Sequence, residues 1–581
     1  MSRPLGYWAL VLHSHIPYVL THGRSPHGTD WLVEAVAECY LPLWEWSQRL
    51  LQQGIPARYT ISFTPILQEQ LASPIFHAEM EQYLRFKRDA ARDDMHQFRQ
   101  QGNRWQAGLA YFWLQFYERQ EALLNELKGD LLSGFRQLQD AEAIEIITSA
   151  ATHGYLPLIG HDECVRAQVL LGKATYQQHF GRAPSGFWLP ECAYRPSYRW
   201  TPPVAREVIA PYERAGIEQF LSEAGIRYCF VDTHMLRGGE PLGTYLARFP
   251  ALAQLFKQFQ RAYQGERADR SPYRAYQIPA PTPLAVFARD PHTTLQVWSG
   301  EHGYPGDARY LEFHKQHYPG RLRYWRVSQN KADLAAKQPY EPYAAFEAVQ
   351  SHADHFVGLV KQVLGEHRAR TGEPGVLVSM YDTELFGHWW FEGPEWLKAV
   401  IQRIAADPEL EMITCSDYLA HFPPDEMVLL PEGSWGEGGF HYIWLNEQTA
   451  WVWEAIYRAE ARFLQLLRVY RAHPAPSYGR GHLASIPTYL TQLARELLLL
   501  QASDWSFLIT TGSARDYAEL RFRDHLNRFE AIATLIEQVA SGKEPEAALL
   551  ACYQDSVARE PIFNDLQLDL WLPAGYRKEA G

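Results

Sequence analysis

The 581-residue sequence lacks several features that would place it in a broad class at once. No apolar run is long enough, without polar breaks, to span a membrane, and the first residues lack a signal-peptide pattern. The net charge is -12, and no Lys/Arg-rich run is present. We therefore expect neither a membrane nor a nucleic-acid partner. No repeat of 20–50 residues is evident.

Paired cysteines are also missing. The six cysteines lie far apart and form no C-x-x-C motif, the spacing that would indicate a zinc site or a redox pair. We interpret them as reduced thiols and expect a cytoplasmic protein.

Aromatic residues, by contrast, are abundant. They make up 14% of the chain, with 19 Trp and 33 Tyr. Such an excess fits either a large core or a surface that stacks on flat ligands such as sugar rings. Several tryptophans lie close to the polar ends of predicted strands, which favours the second use for some of them.

Two carboxylates follow apolar runs of strand length. Residues 186–189 predict a short buried strand that meets Pro190 and then Glu191, and residues 375–381 predict a second strand that ends at Asp382. Two carboxylates near aromatic rings are the groups that cleave glycosidic bonds. The competing interpretation is that each acid only caps the helix after it. Two acids delivered in the same way favour catalysis.

Strands of this kind alternate with helices along most of the chain. We predict strands at 7–12, 58–63, 144–148, 186–189, 228–231, 284–287, 295–298, 375–381 and 412–415. The intervening helices are predicted at 31–51, 163–179, 204–223, 343–370 and 394–406. Buried strands that alternate with helices predict a parallel sheet, and polar groups gathered at strand ends favour a barrel mouth.

The domain organisation follows from this alternation. We expect residues 1–430 to form a catalytic barrel that carries a helical insertion at about 75–140. Residues 237–277 lack a clean period and predict a long loop or lid. Residues 431–581 predict a Gly-rich connector and an α-helical C-terminal domain that contributes aromatic residues to the site.

The histidines at the first strand end allow two interpretations. His13 and His15 form an H-x-H pair that His153 and Asp382 could complete as a metal site. Alternatively, the imidazoles donate hydrogen bonds to sugar hydroxyls or hold a carboxylate in place. No second H-x-H pair occurs at a later strand end, so we favour the sugar contacts.

Trp435 is the tryptophan with the clearest functional pattern. It lies in a Gly-rich segment that we expect to be exposed, where packing gives little reason for an indole. We interpret it as a platform for stacking on a sugar ring.

Five segments, in order, resemble the signature segments of glycoside hydrolase family 57, and most closely its 1,4-α-glucan branching enzyme subgroup. They are HSHIPY at 13–18, THGYLP at 152–157, WLPECAY at 188–194, YDTELFGHWW at 381–390 and SWG at 434–436. The resemblance implies an α/β fold with an incomplete TIM-like (β/α)7 barrel. It also implies no cofactor and no required metal.

The resemblance also implies roles for individual residues. In a retaining mechanism, Glu191 is the nucleophile and Asp382 the general acid/base. The residues implied to contact substrate are His13, His15, His153, Trp298, Trp435 and Trp444. A gating tyrosine is implied within 237–277, where the candidates are Tyr245, Tyr263, Tyr273 and Tyr276.

The activity implied is transfer of an α-1,4-linked chain to a 6-hydroxyl, which makes an α-1,6 branch. The alternatives are an α-amylase-like hydrolase or a 4-α-glucanotransferase of the same family. The expected partner is an α-glucan such as amylose, glycogen or starch. We expect a monomer or a small homo-oligomer.

Overall fold

The computed structural model describes most of the chain. The described residues are 4–25, 27–238, 249–265, 268–300, 303–329, 333–472 and 485–572.

A curled, mostly parallel sheet forms the centre of the molecule. The strands of the described residues are β1 Gly6–Ser14, β2 Thr60–Phe63, β3 Glu145–Ser149, β4 Gly186–Trp188, β5 Tyr198–Trp200, β6 Tyr212–Arg214, β7 Tyr228–Val231, β8 Tyr276–Ile278, β9 Leu284–Ala288, β10 Gly375–Asp382 and β11 Leu410–Met412. Seven of them are parallel neighbours in the order β10-β1-β2-β3-β4-β7-β9. The prediction of an incomplete (β/α)7 barrel is confirmed.

The open side of the barrel lies between β9 and β10. There the backbone N–H of Asp290 donates to the carbonyl of Val378 at 2.9 Å, so the two ends meet without forming a ladder. β8 pairs antiparallel with the outer edge of β9, and β11 pairs with β1 beside β10.

β1 shows why an unbroken apolar run was a reliable signal. All nine of its residues are buried, because the strand lies between β10 and β2 with side chains packed on both faces. Its parallel register places His13 opposite Asp382 at the carboxyl ends of β1 and β10. Strand ends that are distant in sequence therefore meet at one mouth of the barrel.

Helices cover the barrel and form the two additional regions. They are α1 Thr29–Ala35, α2 Leu41–Gln52, α3 Pro65–Leu71, α4 Pro74–Gln100, α5 Arg104–Glu126, α6 Leu131–Asp140, α7 Asp162–Phe180, α8 Ile217–Glu223, α9 Thr233–Leu236, α10 Pro250–Ala262, α11 Pro291–Trp298, α12 Pro342–Thr371, α13 Gly393–Ala406, α14 Cys415–His421, α15 Ala450–Ala472, α16 Ile486–Leu500, α17 Ser503–Thr511, α18 Arg515–Ala540 and α19 Ala547–Arg559. In the part of the chain that is described, none of them is long and apolar enough to cross a bilayer.

The predicted helical insertion corresponds to α4, α5 and α6, of which α4 and α5 pack along their lengths as a hairpin. The turn between them places Asn103 at the N-terminus of α5, where its side chain accepts the backbone N–H of Gln106 at 3.1 Å.

Two predicted elements are wrong, and the strand predicted at 412–415 is displaced, since β11 is Leu410–Met412 and α14 begins at Cys415. Residues 295–298 belong to α11 rather than to a strand, because the Asp290 side chain caps that helix by accepting the backbone N–H of Thr293 at 2.6 Å. A four-residue apolar run does not by itself distinguish the two structures. Residues 204–223 hold strand β6 and the short α8 rather than one helix. Pro211 interrupts the helical pattern there.

The predicted loop 237–277 also contains more regular structure than expected. Helix α10 and the start of β8 lie within it, and α10 packs against β5. Residues 239–248 and 266–267 of this segment lie outside the described part of the chain.

The C-terminal helices dock onto the barrel mouth through backbone contacts at His153. Gly154 and Ala502 form an antiparallel bridge, and the N–H of Ser503 donates to the carbonyl of His153 at 3.0 Å. The hydroxyl of Thr152 donates to the carbonyl of Leu498. The first residues of α17 are thereby held at the carboxyl ends of β3 and β4.

Candidate active site

Glu191 follows β4 on a strained turn. Its backbone is left-handed, with φ 60° and ψ 24°, and Cys192 has φ 47°. Non-glycine residues adopt this region at a cost of about 1–3 kcal/mol each, and strain of this kind is concentrated at functional sites. The Gly-rich connector supports the turn, since Tyr194 and Gly433 exchange backbone hydrogen bonds of 2.9 and 3.0 Å.

Both carboxylate oxygens of Glu191 accept hydrogen bonds. The indole Nε1 of Trp435 donates to Oε2 at 2.9 Å, and the hydroxyl of Ser503 donates to Oε1 at 3.0 Å. Burial raises the pKa of Glu191 to about 7, and these two donors oppose that rise. The carboxylate is therefore fixed in orientation and can ionise near neutral pH.

Asp382 ends β10 in a different environment. Burial, followed by the negative charges of Glu384 and Glu191, raises its pKa well above the ordinary value, against the opposing charge of Arg289. Because the charge of Glu191 acts on Asp382, the two predicted carboxylates lie near each other at the barrel mouth. The protonated form of Asp382 is favoured beside an ionised Glu191.

Glu384 is a third buried acid that the sequence analysis did not assign. Its Oε1 accepts the backbone N–H of His15 at 3.0 Å and the hydroxyl of Tyr40. Burial raises its pKa to about 7. Its position two residues after Asp382 was the only indication of Glu384 in the sequence. The hydrogen bond from His15 to Glu384 connects the loop after β10 to the end of β1.

The three predicted histidines lie together, stacked at the barrel mouth. The ring centroids of His15 and His153 are 4.0 Å apart, and His13 stacks on Trp188 at 4.5 Å. Nε2 of His13 lies 3.0 Å from Nε2 of His153. Burial lowers the pKa of both His13 and His153 well below the ordinary value, and the neighbouring His15 lowers them further.

Every ring nitrogen of these histidines has a protein partner. His13 Nδ1 contacts Ser62 at 2.5 Å, and His153 Nδ1 contacts Ser503 at 2.8 Å. In His15, Nδ1 contacts Thr64 at 3.0 Å, and Nε2 contacts the carboxylate of Asp504 at 3.0 and 3.1 Å. The contact between His15 and Asp504 supports one part of the second interpretation, that an imidazole holds a carboxylate in place.

His15 is the member of the group whose imidazolium form is favoured. Burial disfavours its imidazolium form, but Asp504, Glu384 and Glu191 outweigh that effect and raise its pKa. Asp504 lies at the start of α17, in a domain that the sequence analysis expected to contribute only aromatic residues. No local pattern in the sequence indicated it, because the contact depends on how α17 docks.

The predicted metal ligands do not assemble as a set. The described atoms at this site that could share an ion belong to His15, His153 and Asp504, and they lie within 4.8 Å of one another. Asp382 is not among them. Each imidazole would need a free nitrogen, and all four nitrogens of His15 and His153 already hold hydrogen bonds. The donors fit a hydrogen-bonded network better than a metal centre.

Two of the three predicted aromatic residues border the carboxylates. Trp298 ends α11, where its Nε1 lies 3.4 Å from the carbonyl of Met380, and its ring meets that of Trp435 edge-on at 6.3 Å. Trp435 is half-buried rather than exposed, and the guanidinium of Arg289 lies over its ring at 5.2 Å. Its hydrogen bond to Glu191 is a role that the stacking interpretation missed.

Trp444 requires a correction. Its side chain is 1% exposed and stacks on Tyr155 at 4.3 Å, beneath the connector. A Cβ at Gly436 would lie 2.5 Å from its ring, so the connector passes too close for any other residue there. Trp444 is a packing residue that supports the segment carrying Trp435, and it presents no face to a sugar.

Three of the four candidates for the gating tyrosine lie among the described residues. Tyr273 donates to Asp290 at 3.0 Å and Tyr276 to the carbonyl of Ser271 at 2.8 Å, and both side chains are buried. Tyr263 is half-buried and donates to the carbonyl of Leu429 at 2.7 Å. The hydroxyls of these three tyrosines thus have protein partners, and the gating role stays a prediction. Tyr245 lies outside the described residues.

Together, the two carboxylates can act as a nucleophile and as a proton donor at the mouth of one barrel. Glu191 is a carboxylate held by two donors on a rigid turn, which suits a nucleophile. Asp382 is an acid without such donors among the described contacts, which suits a proton donor. Aromatic rings at the border add apolar surface of the kind that pyranose rings stack on.

Comparison with known proteins agrees with this description. The family model of glycosyl hydrolase family 57 matches residues 9–431, and that of the 1,4-alpha-glucan branching enzyme C-terminal domain matches residues 456–571. A 1,4-alpha-glucan branching enzyme of Thermococcus kodakarensis is 40% identical over 540 residues, which cover 93% of this chain and 75% of that protein. A probable branching enzyme of Mycobacterium tuberculosis is 28% identical and covers 94% of both chains.

Solved structures are similar over almost the whole length. A branching enzyme from Pyrococcus horikoshii, 38% identical, superposes with a TM-score of 0.85 over 98% of this chain and 97% of its own. The alpha-amylase AmyC from Thermotoga maritima, 25% identical, gives a TM-score of 0.77 over 98% and 99%. With its fold, its strand-end carboxylates and a family model that matches most of its length, this chain belongs to glycosyl hydrolase family 57.

Proposed function

We propose that this protein is a 1,4-α-glucan branching enzyme that works with retention of configuration. It cleaves an α-1,4 linkage and transfers the released chain to a 6-hydroxyl. The contrast between Glu191 and Asp382 is the observation that carries the proposed chemistry. One carboxylate is fixed by two donors, and the other is driven towards its protonated form.

In the first step, Glu191 attacks the anomeric carbon while Asp382 donates its proton to the departing glycosidic oxygen. The bond to the leaving chain breaks as the glycosyl–Glu191 ester forms. In the second step, Asp382 takes the proton of an acceptor 6-hydroxyl, whose oxygen attacks the anomeric carbon and releases Glu191. Two inversions give net retention, and the proton returns to Asp382.

Transfer is favoured over hydrolysis by the relatives and by the C-terminal region. The branching-enzyme model matches the segment that contains α17, whose first two residues contact Glu191 and His15. We propose that the barrel ends near residue 430 and that the helical domain completes the site. Trp298 and Trp435 are proposed to bind the α-glucan. The water-excluding role of 237–277 stays a prediction.

The cellular setting is proposed on chemical grounds. All six cysteines are free thiols, five of them buried, which fits a reducing compartment such as the cytoplasm. A role in glycogen biosynthesis follows from the proposed reaction.

An α-amylase-like hydrolase is the second candidate, because the structure of AmyC superposes over nearly the full length of both chains. The two functions share the glycosyl–Glu191 intermediate and differ in what attacks it. Incubation with amylose separates them, by comparing α-1,6 linkages formed with reducing ends released. We expect branch points to form faster, with or without EDTA, whereas a predominance of reducing ends would favour the hydrolase.

A further inference from the structure

The contacts at the barrel mouth include one continuous line of hydrogen bonds that ends at Glu191. Ser62 contacts Nδ1 of His13 at 2.5 Å, and the Nε2 atoms of His13 and His153 are 3.0 Å apart. Nδ1 of His153 contacts Ser503 at 2.8 Å, and Ser503 donates to Glu191 at 3.0 Å. We call these residues the histidine relay.

The chemistry of each group in the relay determines which atom of each hydrogen bond is the donor. A hydroxyl carries one proton, and an ionised carboxylate can only accept, so the Ser503 proton points to Glu191. Ser503 must then accept from Nδ1–H of His153. Burial keeps His153 neutral, so its Nε2 bears no proton and accepts from Nε2–H of His13.

The same reasoning continues to the far end. His13 is also buried and neutral, and its single ring proton is already on Nε2. Its Nδ1 therefore accepts the hydroxyl proton of Ser62, which is buried. The ionised carboxylate of Glu191 thus determines the tautomers of His13 and His153 and the orientation of the Ser503 and Ser62 hydroxyls.

We propose that Ser62, His13, His153 and Ser503 form a one-directional hydrogen-bond relay that holds the Glu191 nucleophile, with Ser503 as its positioning residue. The assignment of Glu191 as nucleophile rests on the proposed function. The direction of the relay does not.

Through Ser503, the α-helical domain supplies the member of the relay that contacts Glu191. Ser503 is 2% exposed, and its backbone N–H is already used by the carbonyl of His153 at 3.0 Å, so its side chain has little freedom. His15 lies beside the relay rather than in it, and its Nε2 contacts the carboxylate of Asp504. The histidine that contacts Asp504 and the histidine that contacts Ser503 are therefore two different residues, stacked on each other.

Neutron crystallography of the deuterium-exchanged enzyme at pH 8 tests the direction without reference to activity. The expected result is deuterium on Nδ1 and not Nε2 of His153, on Nε2 and not Nδ1 of His13, and on the Ser503 hydroxyl facing Glu191. Deuterium on Nε2 of His153, or on both nitrogens of either ring, would overturn the relay.

Kinetics of serine variants tests the positioning role. Removal of a hydrogen bond to a charged group predicts that Ser503→Ala slows formation of the glycosyl-enzyme about 10- to 100-fold with little change in KM. Ser62→Ala, four hydrogen bonds away from Glu191, should slow this step by less than about threefold, because its contact with Glu191 is indirect. The control is Ser47→Ala, which removes a buried hydroxyl bonded to the carbonyl of Leu43 and should leave the rate unchanged.

The outcomes separate the relay from the proposed function. Unchanged glycosyl-enzyme formation in Ser503→Ala, with Glu191→Gln inactive, would refute the positioning role and leave the nucleophile intact. Activity retained in Glu191→Gln would refute the nucleophile, whatever the neutron map shows. Restoration of the rate in Ser503→Thr, checked for folding by its thermal midpoint, would support the hydroxyl as the active feature.

Discussion

The surroundings of Glu191 and Asp382 differ although both acids end strands of the same sheet. Glu191 lies on a left-handed turn, with the Trp435 indole and the Ser503 hydroxyl on its two oxygens. Asp382 continues β10 in extended conformation, with φ -67° and ψ 132°, and burial, followed by the nearby acid Glu384, raises its pKa.

The difference shows how one barrel makes two acids behave in opposite ways. Donors stabilise the charged form of a carboxyl group, while burial and neighbouring negative charge stabilise the neutral form. Glu191 receives both influences and has a pKa of about 7, whereas Asp382 receives mainly the second. The environment, rather than the residue type, therefore separates a nucleophile from an acid.

The largest effect is expected from replacing each acid by its amide. Glu191→Gln should lower turnover on amylose by at least about a thousandfold, since the amide cannot form the ester intermediate. Asp382→Asn should be similarly impaired on amylose. It should still be glycosylated by a donor such as a glycosyl fluoride, whose leaving group needs no proton.

Burst measurements with the fluoride donor distinguish the two variants. A burst in Asp382→Asn and none in Glu191→Gln is the expected result. The same pattern in both variants would remove the distinction between the two carboxylates.

The next largest effect is expected from removing the indole N–H of Trp435, which donates to Glu191. Trp435→Phe keeps an aromatic ring but loses the indole N–H, so the rate of glycosyl-enzyme formation should fall about 10- to 100-fold. Trp453→Phe is the matched control, because its Nε1 donates to the carbonyl of Trp444 at 2.7 Å, in the core. If both variants kept the wild-type rate, the hydrogen bond to Glu191 would be unimportant.

The part of the site that lies at the strand ends could be predicted from the sequence. An apolar run buried on both faces, followed by an acid, identifies a position at the barrel mouth without knowledge of the rest of the fold, as for Glu191 and Asp382. The resemblance of short ordered motifs then joined β1, β4 and β10 to a single site.

The rest of the site could not be predicted from local patterns. Ser503 and Asp504 begin an ordinary helix, and only its docking against His153 brings them to Glu191 and His15. The orientation of Trp435 likewise depends on the pairing of the connector with the Glu191 turn.

Trp444 was assigned to the site only through the resemblance. Its ring is buried instead, and glycine is needed at 436 because the connector passes close to it.

A smaller effect should separate Trp298 from Trp444. Trp298→Ala removes a half-buried ring at the border of the site and should raise KM for amylose about 3- to 10-fold, with little change in thermal midpoint. Trp444→Ala removes a buried ring and should destabilise the fold by about 3–5 kcal/mol. Steady-state kinetics and thermal melts of both variants check this, and a larger rise in KM for Trp444→Ala would restore it to the site.

The smallest effect is on stability as a function of pH. The folded-state pKa of Glu191 is raised to about 7, so its stabilising contribution is present below about pH 4.5 and lost as pH rises through 7. Glu191→Gln does not lose stability in this way, because its amide does not ionise. Its thermal midpoint relative to wild type should be about 1–3 °C more favourable at pH 8 than at pH 5. An equal difference at both pH values would show that Glu191 is not desolvated.

Identification of the covalently modified residue tests the contrast between the two acids most directly. Asp382→Asn, incubated with a glycosyl fluoride derived from a short α-glucan, should accumulate an ester that peptide mapping by mass spectrometry locates on Glu191. An adduct on another acid such as Glu384, or no adduct under conditions where fluoride is released in a burst, would contradict the account.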